Sequence, residues 1–95
     1  MYASYIEMQL KPGKMAEAVE MIERVESELQ FVDGLKKFIV VDRGNDNSTV
    51  LALYDTAEDQ EAAGPKSAEI ISRLKDIIAA PPDRKQVEIP INLIF

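Results

Sequence analysis

The 95-residue sequence predicts an α+β fold of order β-α-β-β-α-β. This is the ferredoxin-like arrangement, a four-stranded antiparallel sheet with two helices on one face. Three observations carry the prediction. Apolar residues alternate with period two near both ends of the chain, two internal stretches switch to helical spacing, and Gly44-Asn45-Asp46-Asn47 separates two apolar runs as a hairpin turn.

The first strand is read over Tyr2 to Leu10, with Ile6, Met8 and Leu10 on one face and Tyr5, Glu7 and Gln9 on the other. Lys11-Pro12-Gly13 stops it, because proline lacks a ladder donor and glycine allows a turn. From Lys14 to about Gln30, Met15, Ala18, Ile22, Val25 and Leu29 recur at spacings of three and four, which predicts one amphipathic helix. Glu17, Glu20, Glu23, Arg24 and Glu28 take its opposite side and read as a solvated face.

Gly34 ends that helix, and Leu35 to Asp42 is the second strand. Ser48 to Tyr54 returns antiparallel to it after the Gly/Asn/Asp turn. Thr56 reads as an N-cap with Asp59 three residues on, and Gly64-Pro65 then interrupts the helix. Ile70, Ile71, Leu74, Ile77 and Ile78 form a second helical stripe that ends before Ala80-Pro81-Pro82. The last strand is expected over Gln86 to Phe95, with Pro90 requiring an edge position or a bulge.

In the third strand Leu51 and Leu53 oppose Val50, Ala52 and Tyr54, so both faces are apolar. Helices cover one face only. A self-complementary homodimer would cover the other, and packing beneath a loop is the alternative.

Composition narrows the chemistry. An apolar fraction of 46% and a charged fraction of 29% are those of a globular chain, and the length suits one domain over residues 1–95. Net charge is -6, with no dense Lys/Arg patch, which argues against nucleic acid as a partner. The chain has no cysteine and no histidine, so thiolate chemistry, Ser-His-Asp catalysis and His-ligated zinc or haem are excluded for it acting alone. Asp42, Asp46 and Asp55 gather near the hairpin without calcium-loop spacing, so no metal site is expected. The opening MYASYIEMQL lacks a basic n-region and no apolar run is long enough to span a bilayer, so a cytoplasmic protein without membrane contact is expected.

Several marks in this order resemble the antibiotic-biosynthesis-monooxygenase family of dimeric α/β barrels. They are the first strand running into Lys11-Pro12-Gly13-Lys14, Asp33-Gly34 before the hairpin, and VLALYDTAED from Val50 to Asp59. The resemblance covers nearly the whole chain. It implies a homodimer whose two sheets close into a barrel, with a pocket in each subunit between sheet and helices. It also implies oxidation of polyketide-like phenols or quinols by oxygen without an added cofactor.

Departures from the family pattern are as informative. The haem-degrading branch has Asn, Trp and His where this chain has Ile6, Tyr54 and the neighbourhood of Gly64, which argues against haem degradation. Of the polar pocket residues found in the phenol oxidisers, the chain offers Tyr54 at the matching place, while Arg43, Arg84 and Asn92 have no assigned role.

Tyr54 is the leading candidate. Its hydroxyl can hydrogen-bond a carbonyl or phenolate and its ring can stack on a flat molecule, although a core tyrosine reaching solvent fits the same position. Ile6, Phe38, Ile71 and Leu74 would line an apolar pocket beside it, and the same residues equally describe a filled core. Gly64 would open an entrance if the interrupted helix bent away from the sheet, or mark a surface kink. Arg43 and Arg84 each have an acidic neighbour and read as surface residues.

Two functions follow as expectations: oxygenation of a small aromatic or quinol, or a non-catalytic, stress-related dimer that binds a small apolar molecule. A pocket plugged by side chains such as Phe38 and Ile6 would count against both.

Overall fold

The computed structural model describes residues 1–95. Its elements run β1 (Tyr2–Gln9), α1 (Met15–Arg24), α2 (Glu26–Leu29), β2 (Leu35–Gly44), β3 (Asn47–Tyr54), α3 (Ala57–Ala62), α4 (Gly64–Arg73) and β4 (Asp83–Glu88). The strands form one sheet of order β2-β3-β1-β4, antiparallel at every pairing, as expected for the ferredoxin-like fold.

Register follows from alternation. Ile6 stands opposite Val50 and Val50 opposite Val40, so the even-numbered residues of β1, β2 and β3 share the face beneath the helices. There Ile6, Met8 and Val50 pack with Ala18 and Ile22 of α1 and with Leu74 and Ile77. The hairpin closes through Asn45 and Asp46, whose φ values of 53° and 63° are the paired left-handed conformations of a type I′ turn. That turn is tied back, with Leu10 N donating to Asp46 O at 2.8 Å and Gly13 N to Asp46 Oδ1 at 3.1 Å.

Three boundaries differ from expectation. The first helix breaks at Val25 (φ -92°, ψ 3°), where Val25 N bonds Ile22 O in a tightened turn, leaving α2 as a separate four-residue segment. The second helical stripe leaves the helix after Arg73, because Lys11 N donates to Ile77 O and Ala79 N to Gln9 O, both at 2.8 Å. Those bonds draw residues 77–79 alongside the end of β1 while keeping Ile77 buried.

The last strand starts earlier than expected and ends at Glu88 rather than at Phe95. Glu88 pairs with Tyr2 and Ile89 N donates to Met1 O at 2.8 Å, the last bonds between this segment and β1. Pro90 follows without a backbone donor. β4 is an edge strand and stops before Pro90, so that the proline sits outside the ladder rather than at an edge position or bulge within it, and Ile91, Leu93, Ile94 and Phe95 lie exposed beyond it.

Thr56 caps α3 as read from sequence, its Oγ1 accepting from Asp59 N at 3.1 Å. No helix is long and apolar enough to cross a membrane.

Candidate functional site

Between the sheet and the α2 and α4 segments lies a cavity of about 40 Å³. Fourteen of its 16 lining residues are hydrophobic, so its interior favours an apolar occupant over water. Ile6, Phe38, Tyr54, Ile71 and Leu74, the residues expected to line a pocket, all line it. The alternation of β1, β2 and β3 supplies Ile6, Phe38 and Tyr54, and helical spacing supplies the other two.

Gly64 does not line it, correcting the sixth expectation. α4 resumes immediately after Ala63, which is buried, so the interrupted helix stays closed against the sheet rather than bending away. A Cβ at Gly64 would come nearest to Arg84 Nη1, at 3.9 Å.

The cavity's size decides how it can be used. About 40 Å³ holds water-sized groups, whereas a cavity that takes up benzene is nearer ~150 Å³. Core side chains fill most of the space, and a ring enters only if a wall moves.

One wall is tied across by charged side chains. Glu28 of α2 reaches α4, accepting from Lys66 Nζ at 2.7 Å and from Arg73 Nη1 and Nη2 at 2.7 and 2.9 Å. Glu69 joins the cluster through the same two cations. Outside this bridge lies an open groove of about 470 Å³, lined in part by Phe31, Asp33 and Asp59. Val32, Ala63 and Lys66 border both spaces, so the groove leads to the cavity's lip.

The charges behave accordingly. Hydrogen bonds from Arg73, then from Lys66, hold the Glu28 carboxyl at about 2. The same contacts push Lys66 up, led by its bond to Glu28, and pull Glu69 down, led by its bond to Arg73. Glu28 therefore departs from the solvated face on which its sequence neighbours sit.

Tyr54 is 4% exposed. Burial pushes its phenol up, and the positive charge of Arg84 pulls in the opposite direction. None of the side-chain hydrogen bonds involves its hydroxyl. Arg84, read from sequence as a surface residue, is half-buried, and its Nη2 donates to the Ser4 hydroxyl at 3.1 Å. The only ionisable side chains lining the cavity are Tyr54 and Lys66, so no carboxylate or imidazole is present there to serve as a general base.

The three aspartates near the hairpin are engaged elsewhere. Asp42 accepts from Gly44 N, Asp46 from Gly13 N, and Asp55 pairs with Lys36 at 3.2 Å. No group of three or more acidic side chains is placed to hold a metal ion.

Sequence reading missed Lys66, Ser67, Val32 and Ala63 at the cavity. Leu29 was visible only as part of a helical stripe. Their convergence depends on how α2 and α4 pack, and local spacing does not encode that.

The architecture defines a class: a four-stranded antiparallel sheet with its helices on one face and an apolar cavity between them. Solved structures of that class align over nearly the whole chain. A protein of unknown function from Nitrosomonas europaea superposes with a TM-score of 0.82 at 15% identity, covering 98% of this chain and 92% of that one. A candidate antibiotic biosynthesis monooxygenase from the same organism gives 0.79 at 15% identity, over 96% and 100%. Another so described, from Deinococcus radiodurans, gives 0.77 at 13% identity, over 100% and 98%. At these identities the likeness establishes the fold, and the resemblance read from sequence holds at that level. No family model matches the chain, and no curated protein sequence does.

Proposed function

We propose that this chain is an antibiotic-biosynthesis-monooxygenase-like protein that acts as a cytoplasmic homodimer, with residues 1–95 as its domain. In this reading it takes a small aromatic molecule into the cavity beside Tyr54. The observation that carries the reading is an apolar cavity with Tyr54 in its wall, a residue whose hydroxyl makes no hydrogen bond within the chain. A hydroxyl without a partner in the chain is free to donate to a ligand oxygen. Entry requires α2 to part from α4, which the Glu28 bridges to Lys66 and Arg73 oppose together with the apolar contacts of Leu29 and Val32.

The homodimer is supported by the sheet face away from the helices. Ile39, Val41 and Val87 are each 39% exposed there, alongside half-buried Leu51 and Leu53. An apolar sheet face of this kind suits a self-complementary two-fold contact. Sedimentation equilibrium at micromolar concentration tests it, and a monomer throughout would refute it.

Binding without catalysis is the reading the cavity supports best, since it lacks a base. Oxygenation is a second reading, favoured by the names of the fold neighbours and by Tyr54 as a donor to a phenolate. There the substrate's own carbanion would reduce oxygen, with no added cofactor. The deciding experiment pairs titration calorimetry with oxygen uptake over a panel of quinols and anthrones. Heat of binding without oxygen uptake selects the binding protein, uptake above blank selects the oxygenase, and neither signal rejects both.

A further inference from the structure

Register places four charged side chains on the sheet face away from the helices: Glu7 on β1, Lys37 on β2, and Asp83 and Lys85 on β4. Asp83 and Lys85 pair with each other at 3.8 Å. Glu7 and Lys37 take part in none of the ion pairs. Glu7 is half-buried, and its carboxylate accepts one side-chain hydrogen bond, from the Tyr5 hydroxyl at 2.6 Å. Thr49 stands opposite Glu7 in the register without donating to it. Its buried Oγ1 lies near the Tyr5 hydroxyl but outside hydrogen-bonding geometry, and no other group satisfies it.

The two single charges cannot meet within one chain. Glu7 is opposite Thr49 and Lys37 opposite Leu53, four residues farther along β3, which is roughly 13 Å. They also stand on strands either side of β3, each about 4.8 Å from it. That separation exceeds the joint reach of the two side chains. Lys37 nevertheless sits within the apolar patch, with Ile39 two residues on and Leu53 across from it. A contact that covers Ile39 and Leu53 covers Lys37 as well. Arg43, also unpaired, lies outside the patch, in the bulge between Asp42 and Gly44 at the hairpin.

Burying single charges without counter-charges is costly. Two-fold symmetry offers a remedy, because an axis lying in the contact plane midway between two positions sets each opposite the other's copy. We propose that a second copy of this chain docks on the bare face with Glu7 against the partner's Lys37 and Lys37 against the partner's Glu7. Two identical bridges then form per dimer. Apolar contact alone is non-directional, so these bridges select one orientation of the two sheets among those it would permit. The inference rests on the homodimer reading and adds what fixes its geometry.

Sedimentation equilibrium of charge-reversed variants tests the pairing. Glu7→Lys and Lys37→Glu should each weaken self-association roughly thirtyfold or more, because each sets like charges together twice per dimer. Mixed in equal amounts, the two variants should form a heterodimer of near wild-type affinity, since each lysine then faces a glutamate. A chain carrying both substitutions should self-associate as wild type does. Glu7→Gln should cost several-fold and carries the test should a charge-reversed variant not fold. Variants that dimerise as tightly as wild type would overturn the bridges and leave the homodimer standing. A mixture no tighter than its components would overturn this pairing, as would rescue of Glu7→Lys by Arg43→Glu or Lys85→Glu in place of Lys37→Glu. A wild-type chain that stays monomeric would overturn both readings.

Discussion

The two faces of the sheet are made of the same strands, one position out of step, and the outer one sets Glu7, Lys37 and Lys85 among its apolar residues. On the helix side Ile6, Met8 and Val50 are 4%, 4% and 2% exposed. On the other side Ile39, Val41 and Val87 are each 39% exposed. Alternation gives each face an apolar surface, but α1 to α4 cover only one. The covered face therefore holds this chain together by itself, and the bare face has energy left to give to a partner.

Breaking the covered face should have the largest effect. Ile6→Ala removes most of a buried side chain and enlarges a cavity that its neighbours cannot fully collapse, at a cost of about 2–5 kcal/mol. Urea unfolding measures this as a lower midpoint. On the bare face, Leu51→Glu should leave the unfolding of a monomer nearly unchanged. In the proposed homodimer it should weaken association by roughly thirtyfold or more, since the contact would then bury a charge. Sedimentation separates the two effects, and a large loss of folding stability from Leu51→Glu would mean that the outer face is already covered within one chain.

Much of this contrast is legible in the sequence. Leu51 and Leu53 against Val50, Ala52 and Tyr54 announce two apolar faces, because side-chain period in a strand is strictly two. The pocket residues Ile6, Phe38, Tyr54, Ile71 and Leu74 were legible for the same reason. The end of β4 was not, because Ile91, Leu93 and Phe95 keep the alternation beyond the last pairing with β1. Nor were the Glu28 bridge and the Arg84–Ser4 contact, which join residues separated by 38, 45 and 80 positions. Long side chains on separate elements meet only once the fold exists.

The helices' cover depends in turn on the loop that leads out of α2. Gly34 has φ +73°, and a Cβ there would collide with the Asp59 side chain near the N-terminus of α3. Gly13 has nearly the same φ, +76°, with open space around it. Gly34→Ala should therefore cost about 1–3 kcal/mol and Gly13→Ala about 1 kcal/mol, the difference reporting the collision rather than the dihedral. Thermal unfolding of the two variants side by side measures it, and equal losses would mean that Asp59 yields freely.

The smallest expected effect tests how the covered face is closed at its lip. Glu28 is held at about 2 against an ordinary value of 4.5, by Arg73 first and Lys66 second. A lowered carboxyl stabilises the folded chain fully above pH 4.5, where both folded and unfolded forms are ionised. Between 4.5 and about 2 the unfolded chain takes up a proton that the folded chain does not, and the contribution drains away. Glu28→Gln should lose that contribution at neutral pH and flatten the acid limb of the stability curve in that window, so that wild type and variant converge as the pH falls toward 2. The side chains are partly exposed, with Glu28 at 37% and Arg73 at 38%, so added salt should screen the bridge and shrink the difference between wild type and variant. If the bridge also guards the cavity, Glu28→Gln should speed the binding of a quinol from the panel without altering its final affinity in the same proportion. An acid limb identical in wild type and variant would show that α2 is held to α4 by Leu29 and its apolar neighbours, with the charges as bystanders.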